Sequence, residues 1–114
     1  MQLFVYGSLR SSGAHHDELR GAKSLGPART TAGYRLRRLG SYPGLERAGV
    51  GSVQGELFEV GEDELARLDA FEGEAYERRP ITLASPDTEA LVLAYFVREP
   101  ERFPLLGRDD FLAR

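Results

Sequence analysis

Apolar and polar residues along this chain alternate mostly with a period of two, and glycine or proline cuts the runs short. Alternation of this kind marks half-buried strands, and the punctuation marks tight turns between them. Residues 2–6 form a short apolar run that stops at Gly7-Ser8. Residues 28–32 and 33–39 predict two further strands, the second placing Tyr34 and Leu36 on one face. Ser41-Tyr42-Pro43-Gly44 predicts a turn, since proline presets φ and glycine follows freely. Residues 53–60, 79–84 and 90–97 bring the expected strands to about six, the last two joined by Ser85-Pro86-Asp87-Thr88. The period changes once. Glu62 to Phe71 predicts a helix, with Glu62, Asp63 and Glu64 at the end that favours anions and Gly73 just past the other end. Leu65, Leu68 and Phe71, at three-residue spacing, form its expected apolar stripe. The tail from Arg98 onward, with Pro100 and Pro104, predicts irregular structure covering one end of the sheet.

About six strands and one good helix, in an order that does not repeat βαβ, predict an α+β fold. The sheet is expected to be small, mostly antiparallel and barrel-like, and 114 residues suit a single domain spanning 1–114. Net charge is −3, so the balance gives no support for binding a polyanion such as nucleic acid. Arg35, Arg37 and Arg38 read as the solvated face of a strand. There are no cysteines, which excludes disulfides, thiolate catalysis and thiolate metal sites. The first strand begins within two residues of the start, leaving no room for a signal peptide, and no apolar stretch approaches the ~20 residues of a membrane span. A soluble, cytoplasmic protein is the expectation.

Two features carry candidate chemistry. The strand that ends at Tyr6-Gly7-Ser8-Leu9 leaves backbone N–H groups free to hold a carboxylate or the oxygen of a reacting carbonyl. Glu72 falls at the C-terminal end of the expected helix, where unpaired carbonyls disfavour an anion, and Asp69 three residues earlier brings a second negative charge. Both effects, and burial, push a carboxyl pKa upward, toward the value a proton shuttle needs. Helix ends also carry ordinary surface glutamates, and a glycine turn is often only a turn. Ser8 lacks the Gly-x-Ser-x-Gly nucleophile elbow, because position 10 is arginine. His15 and His16 are adjacent rather than four apart, so a solvated helix start explains them better than a metal site. Tyr42 is a candidate to line a pocket or to pack over its turn, and Tyr76 and Arg78 either shape a pocket or pair with Glu74 or Glu77.

The chain resembles the γ-glutamyl cyclotransferase-like family, and most of all its γ-glutamylamine cyclotransferase branch. Phe4-Val5-Tyr6-Gly7-Ser8-Leu9 looks like the family signature. Gly33-Tyr34, Tyr42-Pro43-Gly44, Val53-Gln54-Gly55-Glu56-Leu57-Phe58, Leu68-Asp69-Ala70-Phe71-Glu72-Gly73 and Tyr76-Glu77-Arg78 follow in order, so the likeness runs from Leu3 to about Val97. It implies a small barrel-like α+β fold with a polar cavity at one end. It also implies an enzyme of intramolecular acyl transfer that releases 5-oxoproline and an amine or amino acid from a γ-glutamyl compound. By motif, Tyr6, Gly7, Ser8 and Leu9 correspond to the substrate-binding turn and Glu72 to the catalytic acid/base, with Tyr42 as a further candidate substrate contact. No metal or organic cofactor is required, and the expected partner is a small γ-glutamyl substrate. A non-catalytic module holding a small metabolite in the same cavity is the alternative, because fold alone does not guarantee chemistry.

Overall fold

The period-two runs join into a single eight-stranded, half-barrel sheet in the computed structural model, which describes residues 1–6, 19, 21–40, 42–48 and 51–105. In chain order the elements are β1 (Gln2–Val5), β2 (Lys23–Thr30), β3 (Tyr34–Leu39), β4 (Tyr42–Arg47), β5 (Gln54–Glu59), α1 (Glu62–Glu72), β6 (Tyr76–Pro80), β7 (Leu83–Ser85) and β8 (Val92–Val97), then a 3₁₀ turn at Pro100–Arg102. The fold is α+β, and five of its seven strand pairings are antiparallel. Apolar side chains fill both faces. Phe4, Leu36, Leu45, Leu57 and Phe96 pack inside the curl, while Leu3, Val5, Phe58 and Tyr95 pack on the other face against Leu65 and Leu68 of α1.

The two parallel pairings fix the geometry that matters. β8 pairs with β1 at Gln2↔Val92 and Leu3↔Leu93, and with β4 at Leu45↔Phe96. β6 pairs antiparallel with β8 from Tyr76↔Val97 to Pro80↔Leu93, overlapping both of those contacts. A strand has two hydrogen-bonding edges, so β1 and β4 must share the edge opposite β6. The sheet therefore forks there: β1 leaves β8 after Leu93 and β4 takes over near Phe96.

Glycines allow the fork to close tightly. A Cβ on Gly55 would lie 2.1 Å from the Val5 carbonyl oxygen and 2.7 Å from Phe4 Cζ, so β5 can press against the end of β1 only without a side chain there. Gly44 is likewise a packing glycine, because a Cβ would meet Leu39 Cδ1 at 2.7 Å and Val97 Cβ at 3.0 Å. This corrects the expected turn at 41–44. Tyr42-Pro43-Gly44 begins strand β4, and the reversal before it falls at Gly40, whose φ is 61°.

Other boundaries moved for identifiable reasons. β2 begins at Lys23, upstream of the expected 28, because a bulge between Ser24 and Gly26 lets it stay paired with β5. The run at 79–84 is shared by two strands: β6 ends at Pro80 against β8, and β7 turns away to pair with β2. On α1, Leu65 and Leu68 are buried but Phe71 is 38% exposed. Each three-residue step falls about 60° short of a helical revolution, so two steps carry Phe71 off the stripe. The tail lies along the free edge of β3: Arg38 N–H donates to the Pro104 carbonyl at 2.8 Å and Arg37 Nη1 to the Phe103 carbonyl at 2.9 Å. Among the described residues, no helix is long and apolar enough to cross a membrane.

Replacing Gly55 with alanine forces β5 away from Val5. A loss of stability of about 2–4 kcal/mol is expected by urea denaturation, at or above the usual overpacking range because the clash is with backbone.

Candidate active site

Strand β1 delivers Tyr6 into the fork. Its hydroxyl accepts the Leu45 N–H of β4 at 3.0 Å and donates to the Tyr95 carbonyl of β8. One side chain thus satisfies a donor and an acceptor that the divergence of β1 and β4 would otherwise leave unpaired, and unpaired buried backbone groups are expensive. Its ring packs inside the curl, its centroid 6.4 Å from that of Phe4.

Helix α1 delivers Glu72 to the same place. Three acidic residues occupy its first turn, and Glu64 accepts the Gly61 N–H at 2.5 Å. At the other end Gly73 N–H donates to the Asp69 carbonyl at 3.1 Å, and Glu72 is the last helical residue. Seven residues separate Glu72 from Leu65 and four separate it from Leu68, so all three lie on the buried stripe. Burial pushes the Glu72 carboxyl from 4.5 up to about 7.

Tyrosines surround that carboxyl. Burial, then the charges of Tyr76 and Glu72, raise the Tyr6 hydroxyl well above its ordinary value. Tyr76 is raised by burial, then by Glu72 and Tyr42, and its hydroxyl donates to the Pro43 carbonyl at 2.9 Å. Tyr95 is raised by burial, then by its hydrogen bond to Asp69 at 2.6 Å and the charges of Asp69 and Glu72, against a lowering by Arg78. These three phenols stay neutral at physiological pH. They can orient a ligand or a proton, and they cannot act as bases. Of the groups gathered here, the Glu72 carboxyl alone has a proton affinity placed near neutrality.

The structure thus brings Glu72, Tyr6 and Tyr42 into one neighbourhood, Tyr42 through its effect on Tyr76. Gly7, Ser8 and Leu9 of the expected binding turn lie outside the described residues, as do His15 and His16. Asp69 does not drive the Glu72 shift, because it is occupied: Arg78 grips it with two hydrogen bonds of 2.9 Å and Tyr95 donates a third. Arg78 therefore pairs with neither Glu74 nor Glu77. Arg35 and Arg37 are not a solvated face either, since they hold buried Glu46 at 2.5 and 2.7 Å. Burial alone would raise Glu46, but hydrogen bonds from Arg37 and Arg35 keep it below its ordinary value. Tyr76 takes up the first of the two readings left open for it, as part of the pocket wall, and Tyr95 is the residue whose place was not evident from sequence. A signal existed for Tyr76 alone, four residues beyond Glu72 in the same conspicuous segment.

A separate open cavity of about 290 Å³ lies on strands β2, β5 and β7, lined by Pro27, Ala28, Arg29, Gln54, Gly55 and Ser85. Among the described residues that line it there is no carboxylate.

Comparison with known proteins bears on the family and the fold. The pattern describing "Gamma-glutamyl cyclotransferase, AIG2-like" proteins matches residues 3–112. A Vibrio cholerae protein named provisionally as a γ-glutamylcyclotransferase is 40% identical over 93 residues, covering 82% of this chain and 80% of its own length. The γ-glutamylcyclotransferase family protein YtfP of Escherichia coli is 32% identical over 114 residues, covering 100% of this chain and 98% of that protein. The solution structure of YtfP superposes with a TM-score of 0.71 at 31% identity, covering 96% of this chain and 95% of the other. An uncharacterized Pyrococcus horikoshii protein superposes with a TM-score of 0.77 at 25% identity, covering 96% and 88%.

The raised carboxyl has a measurable consequence for stability. A group that binds its proton more tightly when folded stabilises the protein fully below its unfolded pKa, and this contribution is lost as pH rises through its folded pKa. For Glu72 that window runs from about 4.5 to about 7. Glu72→Gln is therefore expected to gain about 2–3 kcal/mol relative to the parent between pH 4 and pH 8, read from paired urea denaturation curves.

Proposed function

This chain belongs to the γ-glutamyl cyclotransferase, AIG2-like family, and we propose that it releases 5-oxoproline and an amine or amino acid from a γ-glutamyl compound, with Glu72 as the general acid/base. The observation that carries this reading is the placement of a half-buried carboxyl, shifted to about 7, within the electrostatic reach of Tyr6 at the sheet fork. A proton shuttle works best when its pKa lies near the working pH.

The reaction follows from those positions. The α-amine of a γ-glutamyl group has a pKa near 8 and arrives as the ammonium. Glu72, ionised in part at neutral pH, takes one proton from it. The freed amine attacks the side-chain carbonyl, a C–N bond closes the five-membered ring, and the carbonyl oxygen becomes an oxyanion. The oxyanion then collapses to the carbonyl, the bond to the departing nitrogen breaks as Glu72 returns its proton to that nitrogen, and the ionised Glu72 takes the second proton from the ring nitrogen to leave the neutral lactam. Backbone donors of the Tyr6–Leu9 turn are assigned to the glutamyl carboxylate or the oxyanion, where each such donor is worth about 10²–10³ in rate. Tyr42, at the edge of the tyrosine cluster and 43% exposed, is assigned to the substrate side of the site. The tyrosines, held neutral, line the path of the proton without competing for it.

The test is the rate of 5-oxoproline release from a panel of γ-glutamyl amines and peptides. Glu72→Gln is expected to lose about 10²–10⁴ in kcat, and kcat/KM of the parent to rise through an inflection near 7. Equal turnover by both proteins would remove Glu72 from the mechanism, and ligand binding without product would favour a metabolite-binding module.

A further inference from the structure

Asp69 and Arg78, to which the proposed reaction gives no part, form a cluster with Tyr95 beside Glu72. Arg78 on β6 and Tyr95 on β8 are cross-strand partners in the sheet. They converge on one carboxylate of the helix: Arg78 Nε and Nη2 each donate to Asp69 at 2.9 Å, and the Tyr95 hydroxyl donates to the same Oδ1 at 2.6 Å. Asp69 lies three residues before Glu72, so the two acids sit on neighbouring positions of the helix surface. Tyr95 feels the charges of both.

The cluster is poorly suited to stabilising the fold. The Asp69 side chain is 43% exposed and that of Arg78 31%, and ion pairs so open to water contribute little. Its geometry is nonetheless specific. A bidentate guanidinium takes up both oxygens of Asp69, and a phenol takes a remaining lone pair. What such an arrangement does control is the field at the next acid along the helix. With Arg78 in place, the negative charge nearest to Glu72 on its own helix is cancelled. Without it, Glu72 would ionise beside a bare carboxylate.

We propose that Arg78 is a positioning residue for Glu72, acting through Asp69: it cancels the Asp69 charge and, with Tyr95, pins the last turn of α1 to β6 and β8. This rests on the reading of Glu72 as the proton shuttle, but the field effect itself does not require turnover. Among the described residues, Tyr6 just after β1, Tyr76 of β6 and Tyr95 of β8 feel the Glu72 charge, Tyr42 of β4 acts on Tyr76, and Asp69 is the acid three positions earlier on α1. The phenols are neutral across the working range. Asp69 is therefore the one member of that set whose charge Arg78 can unmask.

The experiment compares the parent with Arg78→Met, Arg78→Lys and the double variant Asp69→Asn/Arg78→Met. Two readouts are taken: the pH titration of the Glu72 side-chain carboxyl by carbon NMR, and the pH profile of kcat/KM. Arg78→Met is expected to move the Glu72 inflection upward from about 7 by roughly half to one pH unit, the size of a like charge at helix-neighbour distance in a partly solvated setting. Its kcat/KM should fall about three- to tenfold below the inflection and recover above pH 9. Arg78→Lys restores the charge, and the double variant removes the acid that needs cancelling, so both should titrate near the parent. An unmoved Glu72 inflection in Arg78→Met, or a rate loss of equal size at every pH that the double variant does not relieve, would reduce the cluster to a brace and overturn the proposal. A shifted inflection in a protein with no turnover would uphold it while removing the cyclising reaction.

Discussion

The structure depends on a single hydroxyl at the point where the sheet divides. Two strands, β1 and β4, compete for one edge of β8, and neither can satisfy it throughout. Tyr6 resolves this by standing in for a strand: its hydroxyl oxygen accepts a hydrogen bond from the Leu45 N–H of β4, and its O–H donates one to the carbonyl of Tyr95 on β8. Without that bridge, buried peptide groups on two strands would face one another without partners. Fold and site thus share one joint. Within electrostatic reach of Tyr6 lies the space taken by Glu72, the final residue of α1.

Glu72 occupies that space at an energetic disadvantage, and the disadvantage is what makes it useful. Removing a carboxyl from water favours its protonated form, and no cation among the described residues reverses the trend. The neighbouring phenols have their protons committed elsewhere, to the carbonyls of Pro43 and Tyr95 and to Asp69. They feel its charge while themselves remaining uncharged. Such a setting holds the proton affinity near neutrality, and a fully apolar pocket would drive it further upward. A site of this kind exchanges protons readily in both directions.

The sequence revealed most strands and the helix, because alternation and helical periodicity survive wherever one face meets the core. It misread places where a residue's usual local meaning was overruled by packing. Pro43-Gly44 has the composition of a turn, yet Gly44 is there to admit Leu39 and Val97 against its backbone. Phe71 looked like the third member of an apolar stripe, while the helix places Glu72 on that stripe with Leu65 and Leu68. The clue was present in the spacing: a carboxylate seven residues after one buried leucine and four after another stands where an apolar side chain belongs. Arg78 and Tyr95 were beyond reach, since the register that brings them together on Asp69 is a property of paired strands far apart in the chain.

The disposition of charge explains why this acid and no other is poised. Glu46 and Glu72 are the same residue type, both drawn out of water, and they respond in opposite directions. Arg35 and Arg37 converge on Glu46 and hold it ionised. Arg78 is spent on Asp69, and Arg79 and Arg98 both reach Glu77. Each of these guanidinium groups, on strands that frame the site or on the segment leaving β8, is tied to a different acid. A cation released from any of these pairs toward Glu72 would lower its proton affinity and leave a fixed anion in place of a shuttle. Among the described residues these ion pairs place positive charge on acids other than Glu72, and burial holds the Glu72 carboxyl near 7.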